Sequence, residues 1–176
     1  MNLTITQLKP NPAGKDSTRL GASVAQLASE WVDVRNDGAF AFSLRDLHLY
    51  HRAYSGVSSW EWAPVVEPGA AFTDVLQPGQ TLRIHSGKVR DVSVIPLAER
   101  LGADRHGFTG RDWYVWNNAN ADEAAIWNAS QKAFHDRAEY AAFPPEGVVL
   151  VRSGRFLIPG ISLAGLGGFA ALGGSR

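Results

Sequence analysis

The chain has 176 residues, of which 45% are hydrophobic and 19% are charged, and it contains no cysteine. Its 17 basic and 17 acidic side chains cancel to a formal net charge of zero. This composition excludes an intrinsically disordered chain, a disulfide framework and cysteine-based zinc or thiolate chemistry, and it supplies no net charge that would attract nucleic acid or anionic lipid.

The N-terminal residues alternate apolar and polar side chains in the manner of a β-strand. Leu3, Ile5 and Leu8 are separated by polar residues, and the alternation stops at Pro10. A secretory signal needs a basic start and a continuous apolar stretch, which this segment does not have. We therefore expect a first strand here, no signal peptide, and a protein that is cytoplasmic or part of a virion or other assembly.

Short runs of strand-forming residues, several of them with the two-residue period of a strand, recur along the chain and are separated by turn-forming residues such as Asn36, Asp37 and Gly38. These runs occupy residues 31–35, 44–50, 60–62, 75–76, 81–85, 113–116 and 134–140. Several short strands with turn signals between them predict an all-β sandwich.

Two segments contain helix-forming residues. Residues 96–101 begin with proline and are followed by Gly102, a pattern that indicates one or two helical turns inside a connection. Residues 122–127 also contain good helix formers, but we assign them to a strand because long-range pairing overrides propensity in a short window. We therefore expect a β-sandwich with one short helical insertion.

Three sequence motifs follow one another along the chain. The first combines residues 11–16 (N-P-A-G-K-D) with residues 30–36 (E-W-V-D-V-R-N), the second is residues 76–87 (L-Q-P-G-Q-T-L-R-I-H-S-G), and the third is residues 113–118 (W-Y-V-W-N-N) followed by Asp122, Ala124 and Ile126. In this order the motifs resemble the lamin tail domain family of bacterial type, over residues 3–141. Asp33 and Ala121 depart from the family pattern, and residues 17–28 lengthen the first connection.

The resemblance implies an immunoglobulin-like β-sandwich that acts by contact and has no active site of its own. We expect a lamin-tail-like domain at residues 1–146 and an apolar, glycine-rich C-terminal arm at residues 147–176. The implied function is a non-enzymatic structural or protein-interaction module whose partner is another protein or a second copy of the chain. Family members also occur beside secreted nucleases, so a DNA-associated module is the alternative, and an unrecognised hydrolase ranks third.

Tryptophans are the most prominent candidates for binding. Trp31 and Trp116 open or close apolar runs, so we assign both to the core. Trp60 and Trp62 share one strand face across Glu61, which makes them the best candidates for a protein-contact patch, with burial in the core as the competing interpretation.

The histidines and acids do not indicate a metal or cofactor site. His48 and His51 are three residues apart on a predicted strand, so their side chains point to opposite faces. The acids near the first turns are Asp16, Glu30, Asp33 and Asp37. Such acids can supply oxygen ligands to calcium, but side chains at turns more often bond local backbone N–H groups. We therefore expect no metal, no cofactor and no catalytic residue.

The middle of the chain is mildly basic. Its basic residues are Arg83, Lys88, Arg90, Arg100, Arg105 and Arg111. Because acids interleave with them, this pattern is typical of a solvated surface, and a weak DNA-contact face is the alternative.

The C-terminal residues differ from the rest of the chain, because no acid follows Glu146 and residues 156–172 carry no charge. The segment is too short and too rich in glycine for a confident membrane helix, which needs about 20 apolar residues. It also cannot form a core of its own, so another surface must cover it. We expect docking on a neighbouring subunit, with fold-back or a shallow membrane contact as rivals. The candidate docking residues are Phe156, Leu157, Ile158, Leu163, Leu166 and Phe169.

Overall fold

The computed structural model describes residues 2–14, 21–56, 58–66, 72 and 74–160. Three predicted docking residues, Leu163, Leu166 and Phe169, lie outside this range, as does the acid Asp16. The strands are β1 (Leu3–Lys9), β2 (Trp31–Asn36), β3 (Phe42–Ser43), β4 (His48–Tyr54), β5 (Trp60–Pro64), β6 (Val75–Leu76), β7 (Thr81–His85), β8 (Arg105–Phe108), β9 (Asp122–Asn128), β10 (Ala133–Tyr140), β11 (Leu150–Ser153) and β12 (Phe156–Pro159).

Helical structure is confined to short connections. The α-helices are α1 (Val24–Ala28) and α2 (Leu97–Arg100), and 3₁₀ turns span Leu44–Asp46 and Val92–Val94. The position of α2 confirms the predicted helical insertion, whereas α1 was not predicted. Among the described residues, no helix is both long enough and apolar enough to cross a membrane.

Ten of the strands form one sheet in the order β5-β4-β9-β10-β12-β11-β1-β2-β7-β8, and β3 pairs with β6 in a small second sheet. The pairs β10–β12 and β7–β8 are parallel, and the other pairs are antiparallel. Leu49 of β4 and Ile84 of β7 stand near opposite ends of this order, yet both belong to one core cluster. The sheet must therefore curl around a shared interior, and the predicted all-β class is confirmed.

The core is built from the inward residues of alternating strands. Ile5, Val34, Ile84 and Ile126 are fully buried, as the two-residue period of a half-buried strand requires. Trp116 packs with them, and Trp31 is also buried. The assignment of these two tryptophans to the interior is confirmed.

The carboxylate of Asp136 on β10 connects this strand to β1. The register of β1 shifts between Ile5 and Gln7, and the Ile5 N–H donates to Oδ2 of Asp136 at 2.8 Å instead of joining a strand ladder. Arg152 on β11 donates to both oxygens of Asp136, at 3.2 Å and 2.8 Å. The side chain of Asp136 therefore connects β10 to both β1 and β11.

Strands β11 and β12 lie beyond residue 147, where we expected the C-terminal arm to begin. Strand β11 pairs with β1 through Leu150, and β12 pairs with β10 through Phe156, so both strands are part of the main sheet. Leu157, which we expected to be a docking residue, is buried at 3% exposure and belongs to the core cluster. Phe156 and Ile158, on either side of it, are exposed. Alternation along β12 explains the difference.

Two local predictions need revision. Residues 113–116 do not form a strand, because the Val115 N–H donates at 2.7 Å to Oε2 of the buried Glu30 rather than to a neighbouring strand. The strand predicted over residues 44–50 begins only at His48, after the 3₁₀ turn. Residues 122–127 do lie in β9, which confirms that strand pairing overrides their helix propensity.

Candidate contact surface

One side of the sheet near its β5 end faces away from the core and carries the two predicted contact tryptophans. Trp60 and Trp62 on β5 lie opposite Tyr54 and Arg52 of β4, and cross-strand partners project from the same side of a sheet. We call this outward surface of β4, β5, β9 and β10 the aromatic face. Its main residues are Tyr50, Arg52, Trp60, Trp62, Glu123, Trp127, Phe134, Arg137 and Glu139.

The aromatic rings of this face form a continuous row. Trp60 meets Trp62 edge-to-face with ring centroids 5.1 Å apart, and the centroid of Trp62 lies 4.6 Å from that of Phe134. Phe134 in turn meets Trp127 at 5.1 Å. Trp60 stands on the last strand of the sheet and keeps 39% of its surface exposed. A partner can therefore reach the row from outside without unfolding the sheet.

Ion pairs fill the spaces beside the rings, with Glu123 at their centre. Arg137 donates to both of its oxygens, at 2.6 Å and 2.9 Å, and Arg52 donates to Oε2 at 2.5 Å. Arg52 also donates to Glu139 at 2.9 Å. Burial favours the neutral acid, but the two guanidinium groups outweigh it and lower the pKa of Glu123. Glu123 is thus a fixed negative charge beneath two arginines.

The same arginines cover the tryptophans. The guanidinium carbon of Arg52 lies 4.9 Å from the ring centroid of Trp60, and that of Arg137 lies 5.5 Å from Trp62. Stacking of this kind is favourable because the ring face is electron-rich. The side chain of Arg137 is 43% exposed, so positive charge reaches the solvent directly above the aromatic row.

A second surface, the C-terminal groove, opens where β10 and β12 separate. The two strands pair through a single register position, Glu139 with Phe156. Beyond that position they enclose a groove of about 220 Å³. Its lining includes Tyr140, Ala141, Phe143, Pro145, Leu150, Leu157 and Ile158. Phe143 is 79% exposed and has a left-handed backbone with φ of 57°. Three of the predicted docking residues, Phe156, Leu157 and Ile158, thus line this groove.

The third sequence motif, which contains Asn117 and Asp122, has a structural role. Asp122 is buried, and its Oδ1 accepts from the N–H groups of Arg52 and Glu123 at 2.8 Å and 2.7 Å. Its Oδ2 accepts from the backbone and side-chain nitrogens of Asn117 at 3.1 Å and 2.8 Å. His51 lies 3.3 Å from Oδ2, whereas His48 is exposed on the other side of the strand. Asn117 and Asp122 therefore hold the connection before β9 against β4.

The three described acids that we considered as calcium ligands, Glu30, Asp33 and Asp37, are engaged elsewhere. Asp33 accepts a bidentate pair from Arg83, at 2.7 Å for each bond, and Glu30 accepts from Ser86 and Val115. Asp37 pairs with Arg35 at 3.1 Å. Among the described residues, no group of three or more histidines and acids is arranged to hold a metal ion.

Arg83 and Asp33 belong to a buried cluster that also contains Trp31 and Glu99. The Arg83 guanidinium lies 3.5 Å from the ring centroid of Trp31, whose indole N–H donates to Glu99 at 2.6 Å. Lys9 also pairs with Glu99. Burial raises the pKa of Asp33, although its hydrogen bonds with Arg83 act in the opposite direction. We call these residues the buried cluster.

Two histidines that are far apart in the sequence meet beside this cluster. Nε2 of His85 lies 3.0 Å from Nδ1 of His106, and Nδ1 of His85 lies 2.5 Å from the carbonyl oxygen of Ala28. Burial lowers the pKa of His85 to about 3, so its ring is neutral at physiological pH. Only the parallel pairing of β7 with β8 brings the two rings together, and no local motif could have indicated it.

No protein-family model matches the chain, and no curated protein matches it in sequence. The lamin tail resemblance therefore stays a prediction from the motifs. The placement of Trp60 and Trp62 on one outward face agrees with the geometry that we expected for a contact patch. Sequence reasoning missed Arg52 and Arg137, because only the pairing of β4, β9 and β10 brings them beside β5.

Proposed function

We propose that the chain is a non-enzymatic assembly module with a lamin-tail-like, immunoglobulin-like sandwich, and that copies of it associate through the aromatic face. The observation that carries this proposal is the row of aromatic rings covered by two arginines on an outward sheet surface. Tryptophan, tyrosine and arginine are the residues that most often dominate the energy of protein interfaces. An enzyme has no comparable observation in its favour.

The chemistry of the face suits a protein better than a nucleic acid. The arginines above the rings, Arg52 and Arg137, are already paired with Glu123 and Glu139. Phosphate binding would have to displace these carboxylates, which hold the guanidinium groups with short bonds. A protein surface needs only to cover the rings and exclude water from the existing ion pairs.

A second copy of the chain is the partner that fits the charges. The formal net charge of zero produces no overall repulsion between copies. Arg137 and Glu139 stand on the same face, two residues apart on β10. In a two-fold symmetric contact the same surface of each copy meets the other. A face that carries both positive and negative charges can therefore complement itself. The aromatic row then provides the apolar centre.

Sedimentation equilibrium of a matched pair of tryptophan variants tests the proposal. We expect Trp60→Ala to weaken self-association of the full chain about 10- to 30-fold, as the loss of an interface hot spot does. Trp113→Ala is the control, because Trp113 is 54% exposed and lies outside the aromatic face. Equal effects of the two variants, or a monomeric wild-type chain at all concentrations, would contradict the proposal.

The salt dependence of binding separates the proposal from the DNA-associated alternative. Association through the aromatic row is expected to change little with ionic strength, because apolar contacts carry it. Binding to a DNA duplex would weaken steeply with added salt as counterions are released. A salt-sensitive DNA complex together with no self-association would favour the alternative.

A further inference from the structure

The C-terminal groove has the size and lining of a site for apolar side chains. Its volume of about 220 Å³ is below the roughly 300–1,000 Å³ of pockets that hold small molecules. The walls come from Ala141, Pro145, Leu150 and Ile158, and Phe143 stands almost fully exposed at the rim. Such surface is costly to leave in water, so a covering partner would stabilise it.

An apolar segment follows in the sequence shortly after the last residues that line the groove. Residues 161–176 contain Ile161, Leu163, Leu166 and Phe169 among glycines and alanines, and they carry no charge before Arg176. Glycines cost the segment conformational entropy if it is to form a regular core by itself. Separated apolar side chains on a backbone of small residues can, however, enter a narrow groove one after another.

We infer that residues 161–176 of one copy dock into the C-terminal groove of a neighbouring copy. This inference rests on the proposed association of copies and names a second contact between them. Phe156 connects the two surfaces, because it lines the groove and pairs in register with Glu139 of the aromatic face. Copies that meet through the aromatic face therefore hold each other's grooves nearby.

The groove of the same copy is the less suitable site because of the way the chain leaves β12. The groove is lined by residues 156–159, which directly precede the segment. Gly160 continues in line with β12, since its N–H donates to the Val149 carbonyl at 3.0 Å. A Cβ at Gly160 would lie 3.3 Å from Cγ1 of Val151. To enter its own groove the segment would have to reverse beside this packed glycine, whereas a neighbour's segment needs no such reversal.

Disulfide trapping tests the docking, because the chain has no cysteine of its own. Full-length Ile158→Cys, with the thiol in the groove, is mixed with full-length Leu166→Cys and oxidised at a concentration where the wild type associates. We expect the mixed disulfide dimer to exceed both like-with-like dimers. Leu97→Cys replaces Ile158→Cys as the control, since Leu97 is exposed but outside the groove; we expect the excess to be lost.

The double variant Ile158→Cys/Leu166→Cys distinguishes docking between copies from docking of the segment into the groove of its own copy. A monomer with an internal disulfide at low concentration, or no preference for Ile158→Cys over Leu97→Cys, would overturn the docking between copies. If trapping fails while Trp60→Ala still weakens association, only the docking is wrong. If trapping succeeds while Trp60→Ala has no effect, the groove mediates association and the role of the aromatic face is wrong.

Discussion

The buried cluster and the aromatic face contain the same kinds of side chain in different surroundings. In the buried cluster, Arg83 lies 3.5 Å from the ring of Trp31 and pairs with Asp33, and its side chain is 4% exposed. In the aromatic face, Arg137 lies 5.5 Å from the ring of Trp62 and pairs with Glu123, but its side chain is 43% exposed. Residue types alone therefore do not distinguish a structural cluster from a contact surface.

The difference in solvent exposure determines what each cluster can do. A buried ion pair that loses one partner leaves an uncompensated charge in the interior, and the whole fold bears the cost. An exposed cluster can lose a member at small cost to folding, because water replaces the missing partner. The buried cluster is thus expected to govern stability, and the aromatic face is expected to govern association.

Removal of Arg83 is expected to have the largest effect on stability. Arg83→Met leaves Asp33 buried without its bidentate partner, so we expect a loss of about 3–5 kcal/mol in the free energy of unfolding. Urea unfolding followed by tryptophan fluorescence measures this value. Arg83→Met/Asp33→Leu removes both charges and is expected to recover part of the loss. A loss below about 1 kcal/mol in the single variant would remove the contrast between the two clusters.

The variant Trp60→Ala is expected to show the opposite pattern. We expect about 2 kcal/mol less favourable self-association, with a change in the free energy of unfolding of no more than about 1 kcal/mol. Combined sedimentation and urea unfolding measure the two values on the same sample. If the variant loses stability as strongly as Arg83→Met does, Trp60 is a structural residue and the aromatic face has no separate role.

Acid is expected to lower the free energy of unfolding through His85, the buried histidine beside the buried cluster. The pKa of His85 is about 3 in the folded protein and 6.5 in an unperturbed histidine, so the unfolded chain binds the proton more tightly. The contribution of the neutral His85 ring to stability is therefore fully present above pH 6.5 and is lost progressively as the pH falls from 6.5 toward 3. The slope for one such group reaches about 1.4 kcal/mol per pH unit.

Urea unfolding of His85→Asn at several pH values isolates this contribution. The asparagine amide keeps a donor for the Ala28 carbonyl but does not titrate, so we expect a smaller loss of stability between pH 6.5 and 4 than in the wild type. Parallel pH profiles for the two proteins would mean that His85 is not buried as a neutral ring.

Removal of Arg137 is expected to have only a small effect on stability and provides a direct counterpart to Arg83. Arg137→Gln leaves Glu123 paired with Arg52, so we expect a loss of about 1 kcal/mol in unfolding free energy. Self-association is expected to weaken, because the guanidinium that lies over the Trp62 ring is removed from the contact surface. A loss equal to that of Arg83→Met would show that the ion pairs of the face are also structural.

Local patterns in the sequence were sufficient for much of the sheet. β1, β2, β5 and β7 follow the two-residue period of their own residues, and the same period placed Trp60 and Trp62 on one face. Residues 113–116 are aromatic and β-branched, which also favours a strand, but the Val115 N–H donates to Glu30 and these residues lie outside every strand. Local alternation therefore predicts which face a side chain occupies, but not whether the backbone has a pairing partner.

The missed features all depend on contacts between distant parts of the chain. Residues 156–159 join the main sheet because β11 and β10 are available as partners, and the glycine-rich composition after these residues gave no sign of it. The pairs Arg83–Asp33 and His85–His106 arise from the register of β7 with its two neighbours. No spacing in the sequence encodes such a register, so neither cluster could be predicted.

Side-chain oxidation footprinting of the full-length protein at increasing concentration tests the central claim most directly. We expect Trp60, Trp62 and Trp127 to become less reactive as the copies associate, while Trp113 stays reactive and the buried Trp31 stays protected throughout. Mass spectrometry of the peptides measures each tryptophan separately. Association that leaves the reactivity of Trp60 and Trp62 unchanged, or that protects Trp113 instead, would contradict a contact through the aromatic face.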